Sequence, residues 1–165
     1  MLEKYYSEFS EIYCRLMRLE IKIKQKLISS VLAYYKDDVI IIFQKFFFNK
    51  ERLSRYNTKS GNTFLAILKN PQIKKDSVKF IKLVNIMFLS DVLFFFLCCE
   101  QFRKKEIIED FYTNIPEKYG KLLKSRQILL DLRNTIAHYN FKNYEQNKNN
   151  YLEILNLFEF YLGLK

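Results

Sequence analysis

The sequence predicts an all-α protein, a compact helical bundle of about five helices. Only three Gly and two Pro occur among 165 residues, too few turn-formers for many short strands. Apolar residues make up 49% of the chain, enough at this length to fill a core without covalent staples. Near the start, apolar side chains recur at three- and four-residue intervals, which is a helical period. The length predicts one domain, residues 1–165, with a polar excursion around residues 49–76.

The first helix is expected from about Phe9. Ile12, Leu16, Leu19, Ile23 and Leu27 form its apolar stripe, and a break is expected near residues 36–38. Arg15, Arg18, Lys22 and Lys26 line one edge of that stripe. The plainer reading of these cations is a solvated face; the sharper one is a groove that follows a phosphate backbone. Glu20 and Lys24, four apart, have the orientation that supports a helix.

Residues 39–48 read as a buried helix or a continuation of the first. Residues 49–62 and 69–76 are polar, the second stretch containing Asn70-Pro71, and they flank a short apolar piece at 64–68. Asp76-Ser77 is an N-cap signal for a helix from Val78 to about Gln101. That helix is apolar nearly all round from Leu83, as expected of a central, well-covered element. A charged stretch, residues 103–110, separates it from a helix that starts near Pro116 and runs to about His138. The Asn-rich residues 140–150 are expected to form a loop, because Asn side chains compete for backbone hydrogen bonds. Residues 151–164 close the chain as a short amphipathic helix.

Sixteen Phe and twelve Tyr occur, with no Trp, and the formal net charge is +10. That balance favours an acidic partner, although an AT-rich genome also inflates Lys and Asn. Cys14, Cys98 and Cys99 match no metal-site spacing, and an adjacent pair argues against a disulfide framework. Reduced thiols, no metal and no cofactor are therefore expected. Acidic and aromatic residues fill the first ten positions where a secretory signal would be basic and then apolar. The apolar block at 86–99 is too short for a membrane span and carries Asp91. The expected location is the cytoplasm, with no membrane partner.

The helix that ends near His138 has a feature that core packing does not explain. On a helical wheel, Leu122, Leu129, Leu132 and Ile136 lie on one side of an apolar arc, and Leu123, Leu130 and Ala137 on the other. Arg126 and Arg133 fall between them, in the middle of the face expected to be buried. A guanidinium stays charged, so it requires a carboxylate, backbone carbonyls or a ligand anion. For Arg126 the expected answer is a buried carboxylate pair, with Glu20 the nearest candidate by type. Arg133 is followed at once by Asn134 and by His138, the only histidine in the chain. Metal-free RNA cleavage needs a group to take the 2′-hydroxyl proton, charge opposite the phosphate, and a proton for the leaving oxygen. An imidazole, with an ordinary pKa of about 6.5, exchanges protons near neutrality. Arginine presents fixed bidentate charge to phosphate oxygens.

The run RNTIAHYN, following KYGKLLKSRQILLDL, resembles the signature of the HEPN superfamily and, more narrowly, its Abi-like (abortive-infection) branch. RLEIKIKQKL at 18–27 is similar to the first helix of that branch, and Tyr34-Tyr35 to its aromatic stretch. The resemblance implies a helical bundle with metal-independent endoribonuclease activity in phage defence or a toxin–antitoxin module. It implies Arg133, Asn134 and His138 as site residues, two copies of which face each other across a homodimer. Glu20 and Lys24 are similar to a pair found near the active site in some HEPN families. RNA and a protein or RNA antitoxin are the partners implied. A non-catalytic RNA-binding or regulatory domain and a purely structural interaction module are the competing readings.

Overall fold

The apolar stripe read from the sequence becomes the buried face of one long helix. The computed structural model of the protein describes residues 2–40, 66–93 and 119–164. Among these residues every regular element is helical, and the chain is all-α. Helix α1 spans Leu2–Tyr35, and Ile12, Leu16, Leu19, Ile23 and Leu27 on it are each at most 4% exposed. It starts earlier than Phe9 because Tyr5 and Phe9 both pack on Phe141, with ring centroids 5.3 and 5.0 Å away. A 3-10 turn at Lys36–Asp38 ends α1 where a break was expected, with Lys36 in the left-handed region at φ 46°.

The chain divides into two units, Met1–Ile23 with Phe111–Lys165, and Lys24–Asp110, so α1 gives its first part to one and its remainder to the other. In the second unit, α2 spans Asp76–Ile86 and the 3-10 turn lies against it. Its core includes Leu27, Val31, Val39, Phe80, Leu83, Val84 and Val92, all fully buried. Lys24 Nζ donates to the Asn85 carbonyl at 3.2 Å, tying α1 to the end of α2.

Two expectations about this unit change. Lys75, not Asp76, is the N-cap of α2, and no side chain caps it. Asp76 lies instead in the first turn, where its charge favours the positive end of the helix dipole. The expected helix to Gln101 is interrupted after Ile86: Met87 is extended, and helix resumes at residue 89, continuing as far as the described residues reach. This turn lets Met87, Leu89 and Val92 all reach the core, each at most 3% exposed, which no single straight helix face would do. The parts of the apolar and charged stretches at 41–65 and 94–118, with Pro116 and the cysteine pair, lie outside the described residues.

In the first unit, α3 spans Tyr119–Ala137 and α4 spans Phe141–Tyr161. Three residues join them, and the partners Thr135–Asn143 and Asp131–Tyr151 show that the two helices run antiparallel. The first part of α1 runs parallel to α4, since Glu8 meets Tyr144 and Arg15 meets Glu159. Leu129, Leu132, Tyr144, Leu155 and Phe158 are at most 2% exposed and form the centre of this three-helix unit with α1. Full burial of each such side chain contributes roughly 1.5–3 kcal/mol.

Residues 140–150, expected to be a loop, are helical, so the closing helix is Phe141–Tyr161 rather than a short segment from 151. Asn140, Asn143 and Asn147 each have a side-chain partner compatible with helix. Asn140 is the N-cap and accepts from the Asn143 amide at 3.1 Å. The Asn147 side chain donates one turn back, to the Asn143 carbonyl at 3.0 Å and side-chain oxygen at 2.9 Å. Among the described residues, no helix is long and apolar enough to cross a membrane.

Tyr144 Oη and Lys148 Nζ both donate to Glu8 Oε1, at 2.7 and 2.6 Å. Burial raises the Glu8 pKa, but the hydrogen bonds from Lys148 and Tyr144 outweigh it, and the carboxyl titrates below its ordinary 4.5. A carboxyl lowered by folding contributes stability above its unfolded pKa, and that contribution is lost as pH falls through the folded value. Thermal unfolding should therefore show wild type losing its advantage over Glu8→Gln as the pH is lowered from 6 through the range below about 4.5. A gap between the two proteins that does not depend on pH would contradict this assignment.

Candidate functional site

The end of α3 is closed by a hydrogen-bond pattern that fixes where His138 stands. The Tyr139 amide donates to the Ile136 carbonyl at 3.2 Å and the Asn140 amide to the Thr135 carbonyl at 2.9 Å. This is a Schellman closure, with His138 as the last half-helical residue and Tyr139 in the left-handed position. Tyr139 has φ 51°, a conformation that costs a residue with a Cβ on the order of 1 kcal/mol. Its ring is packed edge-on to Tyr6 at 5.8 Å and stacked on Phe9 at 6.3 Å. Such ring contacts, worth about 0.5–1.5 kcal/mol each, offset the strain.

Directly beneath the turn, polar groups join α3 to α4. Asn143 Nδ2 donates to Thr135 Oγ1 at 2.6 Å and to Tyr151 Oη at 2.8 Å. Tyr151 Oη in turn donates to Asp131 Oδ2. Burial, and then the bond to Asp131, raises the Tyr151 pKa, so the phenol stays protonated as the donor. Thr135 and Tyr151 are 3% and 2% exposed, so this network holds the last turns of α3 from the core side.

Arg133, Asn134 and His138 are all exposed on those turns. Arg133 Nη1 is 3.5 Å from Asn134 Oδ1, and the His138 amide donates to the Asn134 carbonyl at 3.0 Å. Among the described residues, no hydrogen bond engages the His138 imidazole, and Asn134 alone engages the Arg133 side chain. The expectation that Arg133 lies in a buried face is corrected. The buried face of α3 is Ser125, Leu129, Leu132, Thr135 and Ile136, while Leu130 is half-buried and Ala137 exposed. Arg133 thus stands at the edge of this buried face rather than in the middle of one. Arg126 is half-buried.

The basic edge of α1 is not one track of outward charge. Arg15 forms a two-pronged pair with Glu159, Nε to Oε1 at 2.9 Å and Nη2 to Oε2 at 2.7 Å, and also holds Asn156 Oδ1 at 2.7 Å. With the Arg15 and Glu159 side chains 14% and 7% exposed, this guanidinium ties α1 to α4 and is not presented to a phosphate. Arg18 is exposed, and its Nε donates to the Cys14 carbonyl at 3.4 Å. Lys22 and Glu20 are half-buried in the same unit; Lys24 and Lys26, also half-buried, belong to the other.

Sequence reasoning missed a groove of about 600 Å³ next to His138. Tyr6, Ser10, Tyr13 and Cys14 of α1 form one wall, and Ala137 and Tyr139 the other. The recurrence of Tyr6 and Tyr13 seven apart, off the buried stripe of α1, was the available signal. Asn143 and Tyr151 were missed because their stretch read as a loop.

Removing the Asn143 side chain should loosen this end of α3. Asn143→Ala is expected to lower urea-unfolding stability by about 1–3 kcal/mol, the cost of leaving buried partners short of a donor. Asn149→Ala, on an exposed position of the same helix, should stay within about 0.5 kcal/mol of wild type. Equal losses would mean that the network does not hold the turn. Set against known proteins, no family model, no curated protein and no solved structure matches this chain.

Proposed function

We propose that the protein is a metal-independent endoribonuclease of the abortive-infection or toxin type, with Arg133, Asn134 and His138 as its site. The observation that supports this reading is the exposure of the two chemical groups. The turn and the network beneath it hold the backbone, while His138 and Arg133 are exposed and, among the described residues, only the 3.5 Å contact from Arg133 to Asn134 engages either side chain. An exposed arginine on a helix end suits contact with phosphate oxygens, and an exposed imidazole suits proton exchange with the ribose and leaving oxygens. The formal charge of +10 favours a polyanionic substrate.

In the proposed reaction, the 2′-oxygen of a ribose attacks the adjacent phosphorus as an imidazole takes its proton. The bond from phosphorus to the 5′-oxygen breaks, and that oxygen receives a proton from a second acid. Arg133 stabilises the charge that builds on the phosphate oxygens. The carbonyl end of a helix repels anions, so the Schellman bonds, which occupy two of those carbonyls, and Arg133 both favour binding there. One His138 supplies one proton-transfer group, whereas attack and departure lie on opposite sides of the phosphorus. A homodimer related by two-fold symmetry would supply the second. RNA is the proposed partner, with a protein or RNA antitoxin as its counterpart in a defence module acting in the cytoplasm.

His138→Ala should abolish RNA cleavage in EDTA while leaving helical circular dichroism and melting near wild type, since the side chain is exposed. Arg133→Ala, equally exposed, should behave alike. A folded His138→Ala protein that still cleaves would remove this residue from the mechanism. Sedimentation at assay concentration examines the paired arrangement, because a fully active monomer contradicts it.

A further inference from the structure

We propose that the groove between α1 and the end of α3 holds an unpaired nucleobase of single-stranded RNA, stacked on its tyrosine rings. This rests on the ribonuclease reading above and adds how the substrate is gripped. The groove lies one residue on either side of His138, since Ala137 and Tyr139 both line it. A base held there places its own phosphate within the reach of the exposed end of α3.

The wall chemistry suits a base better than a buried protein side chain. Tyr6, Tyr13 and Tyr139 are 49%, 52% and 57% exposed, so large parts of three phenol rings face solvent. Phe9 and Ile136, 2% and 4% exposed, form an apolar floor. The Ser10 hydroxyl and the tyrosine hydroxyls supply polar groups that both donate and accept, as base edges require. Tyrosine faces stack on any base, which gives affinity without a strict sequence.

Charge complementarity selects the occupant. Among the described residues that line it, none is a carboxylate. Exposed Arg18 donates to the backbone carbonyl of Cys14, a lining residue, and exposed Arg133 lies one turn from Ala137. A cavity of about 600 Å³ is within the usual range for a small planar group, roughly 300–1,000 Å³. Duplex RNA keeps its bases stacked inside, so the groove should favour single strands.

The experiment measures binding of the full chain in EDTA to a 2′-O-methyl oligouridine and to a 2′-O-methyl duplex, neither of which has a 2′-hydroxyl to attack. Tyr13 is the residue to change, because it is half exposed and leaves the aromatic cluster around Phe9 intact. Tyr13→Ala should weaken single-strand binding by roughly five- to a hundredfold, the loss of one stacked base. Its salt dependence should stay unchanged, because no phosphate contact is removed. Tyr13→Phe, which keeps the ring, should bind within about twofold of wild type. Wild-type affinity in Tyr13→Ala, with wild-type binding intact, overturns the groove alone and leaves the ribonuclease reading standing. Equal loss in Tyr13→Phe overturns stacking. A Tyr13→Ala protein with altered sedimentation and unaltered RNA affinity would assign the groove to a protein partner instead. Wild-type protein that binds neither oligonucleotide removes both readings together.

Discussion

The turn of three residues between α3 and α4 is the constraint on which the first unit depends. It brings Thr135 opposite Asn143 and Asp131 opposite Tyr151, and this pairing creates the polar network that fixes the end of α3. It also forces Tyr139 into a left-handed conformation that its ring contacts must offset. The same contacts bring the start of α1 against that turn. His138 is therefore held at the point where two helix ends and an aromatic cluster meet, while its side chain remains outside all three.

Two ionic devices anchor α1 to α4 along their parallel course, and they differ in character. Glu8 accepts from Tyr144 and Lys148 near the start of both helices, with Lys148 also lying 5.5 Å above the Tyr144 ring. Arg15 and Glu159, near the end of α4, form a largely buried pair, in which losing either member would strand the other charge. The positive charge of Arg15 is thereby used to align helices. Arg18 and Arg133 of the same unit are exposed instead.

The all-α class and the core stripe of α1 were legible because they depend on local period and on the scarcity of Gly and Pro. The end of α3 near His138 was legible for the same reason. Residues 140–150 were not, because an Asn-rich segment is a loop unless something outside it satisfies the side chains. Here Thr135 and Tyr151 do so for Asn143, which in turn partners Asn140 and Asn147, and those outside partners are revealed only once the hairpin is closed. The burial of Arg133 was misread because a wheel shows which residues share a face but not which part of that face meets a neighbour. Only one wall of the groove left a signal, the Tyr6 and Tyr13 spacing, because these residues are far in sequence from Ala137 and Tyr139.

The central claim is that the exposed end of α3 promotes attack by a ribose 2′-hydroxyl without a metal. The direct measurement is incubation of the wild-type protein in EDTA with a single-stranded RNA and with its 2′-O-methyl counterpart, followed by analysis of the new ends. The account predicts cleavage of the first to a 2′,3′-cyclic phosphate and a 5′-hydroxyl, and no cleavage of the second. Cleavage of both, or no cleavage of RNA by the folded protein, would contradict it.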